Sequence, residues 1–274
     1  MIAMNDGFDQ LKRDFESKGI SVDNPGFCDD PKFLAEERTN PKYLNNYCAY
    51  IIERPYDAGY LSRSKVNVEK AVKIIYRALL DHGRLGACVD ICGILSRILD
   101  KENIWNCCVK GSLTIDFPPA SRITRKHFWA IDHGQFVAPH VWICAPPYYV
   151  VDPTIRQQAY PGKERDYLPE FVLAERGSAV DVETDDIVSP TLRALMNARG
   201  IPESRQIYVG QPDIDEVLDV FPANRMETQF GSFLKYIPVA FTAPDAPLEK
   251  MTNMKFDGKF PWELYETKFR GKLG

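Results

Sequence analysis

The sequence predicts an α+β fold in which a cysteine-bearing helix packs on an antiparallel sheet. Residues 87–101 place apolar side chains at helical spacing, which is typical of a buried amphipathic helix. Residues 104–152 instead contain short runs of β-branched and aromatic residues, separated by Gly, Pro and polar breaks, which is typical of strands joined by turns. After Pro153 the two patterns alternate, so we expect mixed helices and strands there.

Composition and charge indicate a folded protein and give no sign of a polyanionic partner. Of the 274 residues, 45% are hydrophobic and 26% are charged, and the formal net charge is -4. The densest basic stretch, residues 121–126, is short and typical of a solvated loop. The charge pattern therefore favours binding neither to nucleic acid nor to an anionic membrane.

The cytoplasm is the predicted location. Residues 1–19 lack an apolar stretch of signal-peptide length, and no window approaches the roughly 18 apolar residues of a membrane span. The seven cysteines are an odd number and form no C-x-x-C pair, so we interpret them as reduced thiols. A protein exported without a cleaved signal would have the same features.

Helices are predicted for the N-terminal part of the chain. Residues 6–19 and 40–55 have helical patterns that end at a glycine and before a proline. The next helix has Asn67 as its predicted cap and Gly83 as its predicted end. The apolar stripe of that helix consists of Val68, Ala71, Val72, Ile75 and Leu79.

We expect three regions along the chain. Residues 1–65 form a helical N-terminal extension, residues 66–175 a central core, and residues 176–274 a mixed C-terminal region that begins near a polar, acidic stretch. The predicted core strands are "IWNCCVKG", "SLTIDF", "HFWAID", "HVWIC" and "YYVVD". In the C-terminal region, residues 189–200, 213–221 and 260–269 have helical patterns, and residues 205–210 and 231–242 have strand-like patterns.

Cys88 is the first candidate catalytic residue, because it lies in the first turn of the helix predicted from "GRLGACVDICGILSRILD". Unpaired backbone N–H groups give a helix N-terminus partial positive charge, which favours a thiolate there. The alternative is that Cys88 is a small core residue, since free cysteines are often buried. Cys92, one turn later on the same face, fits that alternative.

A nucleophilic cysteine needs a base, and the base needs a group that orients it. The strands "HVWIC" and "YYVVD" are joined by "APP". A three-residue loop would pair Cys144 with Tyr148 and would place His140 directly opposite Asp152, with Cβ atoms about 4.5–5.5 Å apart. A loop of even length would put the two side chains on opposite faces. We therefore predict Cys88 as nucleophile, His140 as base and Asp152 as orienting acid. The alternative is a purely structural histidine–carboxylate bond.

These motifs resemble those of the transglutaminase-like cysteine enzymes, which have a papain-like fold. The matching stretches are "GACVDICGIL", "HVWIC" and "VVDPT", in the family's order, and the likeness covers roughly residues 66–160. The resemblance implies that the cysteine helix packs on an antiparallel sheet, with a cleft at the helix N-terminus. It assigns the nucleophile to Cys88, the base to His140 and the acid to Asp152. Trp142 matches an aromatic residue that packs near the site.

Two features depart from the family pattern. The gap of 12 residues between His140 and Asp152 is short for the family. The stretch "HFWAID" is a second H-x-W match, which makes His127 a rival base. We prefer His140 because its strand leads directly into the strand of Asp152, whereas Asp152 lies 25 residues after His127 in the chain.

The resemblance implies a cysteine-dependent amide hydrolase or acyl transferase of the protease, deamidase or transglutaminase type. Such an enzyme works through a cysteine thioester, needs no cofactor, and takes a protein or peptide substrate. One alternative is an arylamine N-acetyltransferase-like enzyme, although "RLGAC" keeps Arg84 and Gly86 of that motif and has Leu85 in place of a glycine. Another is a catalytically silent transglutaminase-like binding scaffold.

A metal site is a further alternative with weaker support. Cys107 and Cys108 are adjacent and would point to opposite faces of a strand, while Cys88 and Cys92 lie on an apolar helix face. The acidic residues 181–186 could attract calcium, but we interpret them as a solvated loop. We therefore predict no bound metal.

Overall fold

The computed structural model describes residues 6–132 and 139–273 and has an α+β architecture, which confirms the predicted fold class. Eight strands form one antiparallel sheet, and ten α-helices pack around it in the described part of the chain. All seven cysteines are free thiols. None of the helices that the structure describes is both long and apolar enough to cross a membrane.

The sheet is centred on its first strand. The strands are β1 (Cys107–Asp116), β2 (Lys126–Phe128), β3 (His140–Ala145), β4 (Tyr148–Asp152), β5 (Val172–Ala174), β6 (Ser178–Ala179), β7 (Asn224–Glu227) and β8 (Phe233–Thr242). Their order is β5-β4-β3-β1-β8-β7-β6, and β2 also pairs with β1. The long strand β8, from the C-terminal part of the chain, therefore lies beside β1 in the middle of the sheet.

The helices divide between the two faces of the sheet. They are α1 (Asp6–Ser17), α2 (Pro31–Thr39), α3 (Tyr43–Glu53), α4 (Ala58–His82), α5 (Cys88–Lys101), α6 (Thr184–Ile187), α7 (Pro190–Ala198), α8 (Glu203–Gly210), α9 (Ile214–Val220) and α10 (Pro261–Lys268). Apolar side chains of α1, α2 and α3 share a core cluster with Trp142, whereas those of α4, α5 and α10 share another with Val141. Neighbouring residues of β3 thus face different cores, as the alternation of a strand requires.

The two helices on the α5 side follow the predicted apolar stripes, whose members are all buried. Helix α5 begins within one residue of the predicted start, and α4 ends at Gly83, whose φ is 73°. Helix α4 begins at Ala58, well before the predicted cap at Asn67. The reason is that Asp57 caps it, with Oδ1 accepting the backbone N–H of Tyr60 at 2.7 Å.

The prediction of a strand over residues 205–210 is wrong, because this stretch forms α8. Pro202 and the following glutamate supply a helix start, and the chain turns so that Gln206 is buried. Tyr208 and Val209 are exposed, so the β-branched and aromatic pattern does not serve a sheet here. The helices predicted at residues 189–200, 213–221 and 260–269 are confirmed as α7, α9 and α10, and the strand at 231–242 is confirmed as β8.

The hairpin of β3 and β4 differs from the predicted register. Its turn consists of residues 146–147 rather than three residues, and Ala145 pairs with Tyr148. The predicted pair of Cys144 with Tyr148 is therefore wrong. A two-residue turn alone would place His140 and Asp152 on opposite faces of the sheet.

A bulge in β4 reverses that consequence, because Tyr149 and Val150 of β4 both lie opposite the single residue Cys144 of β3. Further from the turn, Ile143 pairs with Val151, so the register shifts by one residue between Ile143 and Ala145. Since side chains alternate along a strand, this single shift returns His140 and Asp152 to the same face. The predicted common face is reached, by a different route from the one that the sequence suggested.

Candidate active site

Cys88 is the first residue of α5. The N-cap is Ala87, which provides no side-chain cap, and the preceding Gly86 has a φ of 67°. The backbone N–H of Gly86 donates to the carbonyl of Gln157 at 2.9 Å, which ties the loop before α5 to the chain just after β4. Cys88 itself is 4% exposed, so its thiol lies just inside the molecule at the helix N-terminus.

His140 begins β3 and Asp152 ends β4. Nε2 of His140 lies 2.6 Å from Oδ2 of Asp152, and both side chains are fully buried. Continuing the register of the hairpin sets Asp152 opposite Trp142, two residues from His140. The predicted direct pair of His140 with Asp152 is therefore a diagonal pair, a separation that an imidazole can span.

The carboxylate of Asp152 has partners on both oxygens. Oδ1 accepts the backbone N–H and the hydroxyl of Thr154, each at 2.8 Å. Oδ2 accepts the hydroxyl of Tyr236 at 2.9 Å, in addition to its bond with His140. Gln158 Nε2 donates to the carbonyl of Thr154 at 3.1 Å and thereby supports this loop. Four bonds to one buried carboxylate fix its position and orientation.

Charge pairing dominates the titration of the two buried groups. Burial acts to lower the pKa of His140, but the charge and hydrogen bond of Asp152, followed by the interaction with Cys88, outweigh it and raise that pKa. Burial acts to raise the pKa of Asp152, but His140 and then Thr154 outweigh it and hold that pKa below its usual range. The two groups therefore favour an imidazolium–carboxylate pair.

The Cys88 thiol interacts with the imidazole of His140. The thiol lies near enough to the ring to contribute, after Asp152, to the raised pKa of His140. Nδ1 of His140 is buried, and no described residue completes a well-formed hydrogen bond to it. Because Asp152 occupies Nε2, Nδ1 is the ring nitrogen left to exchange a proton with the thiol.

Aromatic side chains surround the imidazole. The rings of Phe128, Trp142 and Tyr236 have centroids 5.9, 6.3 and 6.1 Å from that of His140. Trp142 is fully buried, which suits the packing role that the family resemblance implies for it. These contacts hold the ring plane, so rotation of His140 away from Asp152 would require the surrounding rings to move.

The packing of Trp142 depends on Gly111 in β1. A Cβ atom at Gly111 would lie 2.6 Å from Cη2 of Trp142 and 2.0 Å from the carbonyl oxygen of Ile237. No side chain fits such a gap, so only glycine allows β1, β3 and β8 to approach one another here. Gly111 is also the register partner of His140, which places this close approach directly beside that histidine.

Two residues of the site escaped sequence analysis. Tyr236 lies in β8, 84 residues after Asp152, and a tyrosine in a hydrophobic strand carries no local sign of a polar role. Thr154 was visible as part of "DPT", and the spacing of an Asp two residues before a Thr is a known local hydrogen-bonding pattern. Thr154 could therefore have been named from the sequence, whereas the role of Tyr236 became visible only in the fold.

The rival base His127 belongs to a different polar group. Its Nδ1 lies 3.2 Å from the hydroxyl oxygen of Thr114, which donates to Oδ1 of Asp186 at 2.8 Å. Its ring stacks on Trp129, with centroids 5.3 Å apart. Burial lowers the pKa of His127, which makes it a poorer proton acceptor than His140. Within the described chain, none of its bonds involves Cys88.

The other cysteines are divided between the two cores. Cys107 pairs with Cys144 across β1 and β3 and faces the core of Trp142, whereas Cys108 faces α5. Cys92 donates its thiol hydrogen to the carbonyl of Val141 at 3.2 Å. Cys107 and Cys108 therefore cannot ligate the same metal ion.

The acidic stretch at residues 181–186 is less solvated than the sequence suggested. Among the described residues, Glu183, Asp185 and Asp186 form the single group of three whose oxygens could meet around a metal. Asp186 is 1% exposed and contacts the ammonium of Lys235, so the interpretation of this stretch as a solvated loop is wrong for Asp186. A cation there would have to displace the ammonium.

Three side chains from separate elements thus meet at the start of α5. Cys88 comes from the helix, His140 from β3 and Asp152 from β4. No protein-family model, curated protein or solved structure matches the chain. The geometry around these three residues is therefore the basis on which the function is inferred.

Proposed function

We propose that this chain is a cysteine-dependent amide hydrolase or acyl transferase that works through a thioester on Cys88. The observation that carries the proposal is the state of His140. Its Nε2 is held 2.6 Å from Oδ2 of Asp152, while its Nδ1 is buried without a completed bond and its ring interacts with Cys88. A base oriented through one ring nitrogen keeps the other available for proton transfer.

The arrangement of elements supports a papain-like, transglutaminase-like core. The cysteine begins a helix that packs on an antiparallel sheet, and the base and acid lie on consecutive strands of that sheet. The order of Cys88, His140 and Asp152 along the chain is the order of the family motifs that the sequence resembles. These observations support the same family as the sequence motifs do.

Acylation follows from these positions. In the imidazolium that Asp152 favours, the thiol proton of Cys88 is already on Nδ1 of His140, and the thiolate sulfur forms a bond to the carbonyl carbon of the substrate amide. The imidazolium is stabilised by Asp152, whose charge is fixed by its other hydrogen bonds. Collapse of the tetrahedral intermediate breaks the C–N bond, and the proton on Nδ1 passes to the leaving amine. The product of this step is a Cys88 thioester and a free amine.

The negative charge on the carbonyl oxygen develops beside the helix N-terminus. The backbone N–H of Cys88 lies in the first turn of α5, where N–H groups have no intrahelical acceptor. Such a group is a suitable donor to an oxyanion, and the helix dipole adds to the stabilisation. The start of α5 therefore supplies both the nucleophile and a donor for the transition state.

Deacylation repeats the proton transfers in the reverse direction. His140 removes a proton from water or from an amine, the new nucleophile attacks the thioester carbon, and the Cys88 thiolate leaves while the proton stays on Nδ1 of His140. Water gives hydrolysis or deamidation, and an amine gives acyl transfer. The acceptor that reaches the thioester decides between these outcomes.

The proposal is tested by detecting the covalent intermediate on Cys88. Purified protein is mixed with p-nitrophenyl acetate, the release of p-nitrophenolate is followed, and the acetylated residue is located by mass spectrometry. We expect a burst of about one equivalent with the acetyl group on Cys88, because an acyl-enzyme accumulates when deacylation is slow. Cys88→Ala should lose the burst, whereas Cys28→Ala, a change at an equally buried cysteine, should keep it.

Two results would contradict the proposal. One is acetylation spread over several cysteines and lysines with no burst. The other is a burst that survives in Cys88→Ala. Adding a primary amine to the wild-type reaction then separates the two classes of activity, because a transferase yields the N-acetyl amine while a hydrolase yields acetate.

A further inference from the structure

We infer that a groove beside α5 binds a short polypeptide segment of mixed charge, next to the amide that Cys88 attacks; this inference rests on the function proposed above. The groove is a cavity of about 320 Å³ between α5 and residues 242–253. Two of its lining residues directly follow site residues in the chain, since Val89 follows Cys88 and Val141 follows His140.

The groove lies on the flank of α5 rather than on the face that carries the thiol. At 3.6 residues per turn, Val89 is displaced by about 100° and Gly93 by about 140° around the helix axis from Cys88. An amide placed over the helix N-terminus therefore has its neighbouring residues, not its carbonyl, in the groove. The groove therefore lies where it could bind the substrate residues that flank the amide.

The length of the groove suits a segment of about two residues. Its helical wall runs from Val89 to Gly93, which spans about 6 Å of the helix axis. One extended residue covers about 3.4 Å. The volume lies at the lower end of the range of about 300–1,000 Å³ that holds small ligands in proteins. A larger folded partner would not enter it.

The lining combines apolar surface with two free charges. Val89 and Met251 are apolar, and Val89 is 52% exposed. Asp245 and Lys250 are both exposed, and neither forms an ion pair with any residue that the structure describes. An occupant that satisfies them carries one basic and one acidic group on a backbone with apolar parts, which is the chemistry of a polypeptide.

The third charge of the groove is already satisfied. Asp90 contacts Arg84 at 2.7 Å and also accepts a hydrogen bond from Asn253. Through these two contacts, Asp90 joins the loop before α5, the first turn of α5 and the far wall of the groove. The wall at residues 242–253 is thereby held against the start of the helix, so the groove keeps its width near Cys88.

Two exposed apolar side chains lie close to Cys88 in the chain. Leu85 and Val89 are 43% and 52% exposed, and they lie on either side of Cys88 in the chain. Exposed large apolar side chains near a buried nucleophile favour a ligand that covers them. A polypeptide substrate would cover both, whereas a small ester would leave them in water.

Gly93 allows the groove to be closed by a single change. A Cβ atom at Gly93 would meet Pro244 at 3.7 Å, an ordinary contact, and its φ is not in the left-handed region. Because that Cβ would already touch Pro244, the three further carbons of Gly93→Leu have to occupy the groove beside Pro244, and the substitution leaves Cys88 and His140 unchanged. A matched control is Lys70→Leu, which adds the same side chain to an exposed site on α4.

The test compares two reagents that alkylate Cys88, forming the S–C bond with loss of iodide. One is iodoacetamide, which is too small to occupy the groove. The other is an iodoacetylated tripeptide that contains one lysine, one alanine and one glutamate, used in both orders. Second-order rate constants at Cys88 are measured by mass spectrometry, and the ratio of the peptide rate to the iodoacetamide rate reports groove binding.

We expect at least one peptide order to react about 10-fold faster than iodoacetamide with the wild type, because binding raises the local concentration of the electrophile. Gly93→Leu should bring the ratio close to one, and Lys70→Leu should preserve the wild-type ratio. A second variant, Lys250→Ala, should lower the peptide rate about 3-fold, as expected of an exposed ion pair.

The outcomes separate the groove from the catalytic proposal. If iodoacetamide modifies Cys88 but neither peptide order reacts faster, or if Gly93→Leu and Lys250→Ala leave the ratio unchanged, the groove is not a peptide site. If Cys88 is inert to both reagents, the nucleophile itself is contradicted, and the groove loses its role with it.

Discussion

Nε2 of His140 lies 2.6 Å from Oδ2 of Asp152, and neither side chain is exposed to solvent. Burial of one charged partner alone is unfavourable, so the two groups stabilise each other's ionised forms. The bond fixes which ring nitrogen of His140 is available, and Nδ1 is the one left for Cys88. The chemistry proposed for this chain depends on that orientation.

Replacing Asp152 by asparagine should disable the base while keeping its shape. We expect Asp152→Asn to lower the rate of Cys88 alkylation at neutral pH by about 100-fold, because the imidazole loses its orientation and its charge partner. The rate is measured with iodoacetamide by mass spectrometry. Asp100→Asn, at a buried carboxylate near the other end of α5, should stay within about 3-fold of wild type. Equal losses in both variants would show a general loss of structure instead.

The pair should also make stability depend on pH. Because the folded pKa of His140 is raised, its stabilisation is complete below the ordinary histidine pKa of about 6.5 and is lost as pH rises through the folded value. Asp152→Asn removes the main cause of the raised pKa of His140. The difference in unfolding free energy between wild type and Asp152→Asn should therefore shrink between about pH 6.5 and the folded pKa of about 10, by at most about 1.4 kcal/mol per pH unit. Urea titrations at each pH measure this difference in unfolding free energy. A difference that stays constant or grows over this range would contradict the ion pair of His140 with Asp152.

Tyr236 should contribute stability through its hydroxyl. Tyr236→Phe removes a bond of 2.9 Å to a buried carboxylate and keeps the ring packed on Trp142, with the centroid distance of 5.1 Å. We expect a loss of about 1.5–3 kcal/mol in unfolding free energy. Tyr160→Phe removes a bond of 2.7 Å to the neutral carbonyl of Ile155 and should cost less, about 0.5–1.5 kcal/mol. A loss at Tyr236 no larger than at Tyr160 would argue against a charged acceptor.

Two glycines should respond in opposite directions to the same change. Gly111→Ala places a Cβ 2.0 Å from the carbonyl oxygen of Ile237 and should destabilise the protein by several kcal/mol or prevent folding. Gly93→Ala meets Pro244 at 3.7 Å within α5 and should stabilise the protein by about 0.5–1 kcal/mol, because alanine favours the helix. Thermal unfolding compares the two variants. Tolerance of Gly111→Ala would contradict the close approach of β1 to Trp142.

Local signals predicted the helix that carries Cys88. The bounds of α5 follow from its apolar repeat, and the end of α4 follows from Gly83. The order of Cys88, His140 and Asp152 was also visible, because each lies in a short motif. Where local chemistry decides the structure, the sequence contains enough information to predict it.

Interactions between distant segments were not predictable in the same way. The register of the hairpin depends on one extra residue in β4, which no residue type marks. The bond from Tyr236 to Asp152 requires β8 to lie beside β1, a pairing of strands more than a hundred residues apart in the chain. At α8 the β-branched pattern misled the prediction, because packing of Gln206 outweighed intrinsic preference.

The most direct test of the central claim is the rate at which iodoacetamide alkylates Cys88 across pH, followed site by site in wild type, His140→Ala and His127→Ala. We predict that at neutral pH Cys88 reacts ahead of the other six cysteines. His140→Ala should slow Cys88 by about 100-fold, and His127→Ala should leave it within about 3-fold. The claim is contradicted if Cys88 is as inert as Cys92 in all three proteins, or if His127→Ala rather than His140→Ala removes its reactivity.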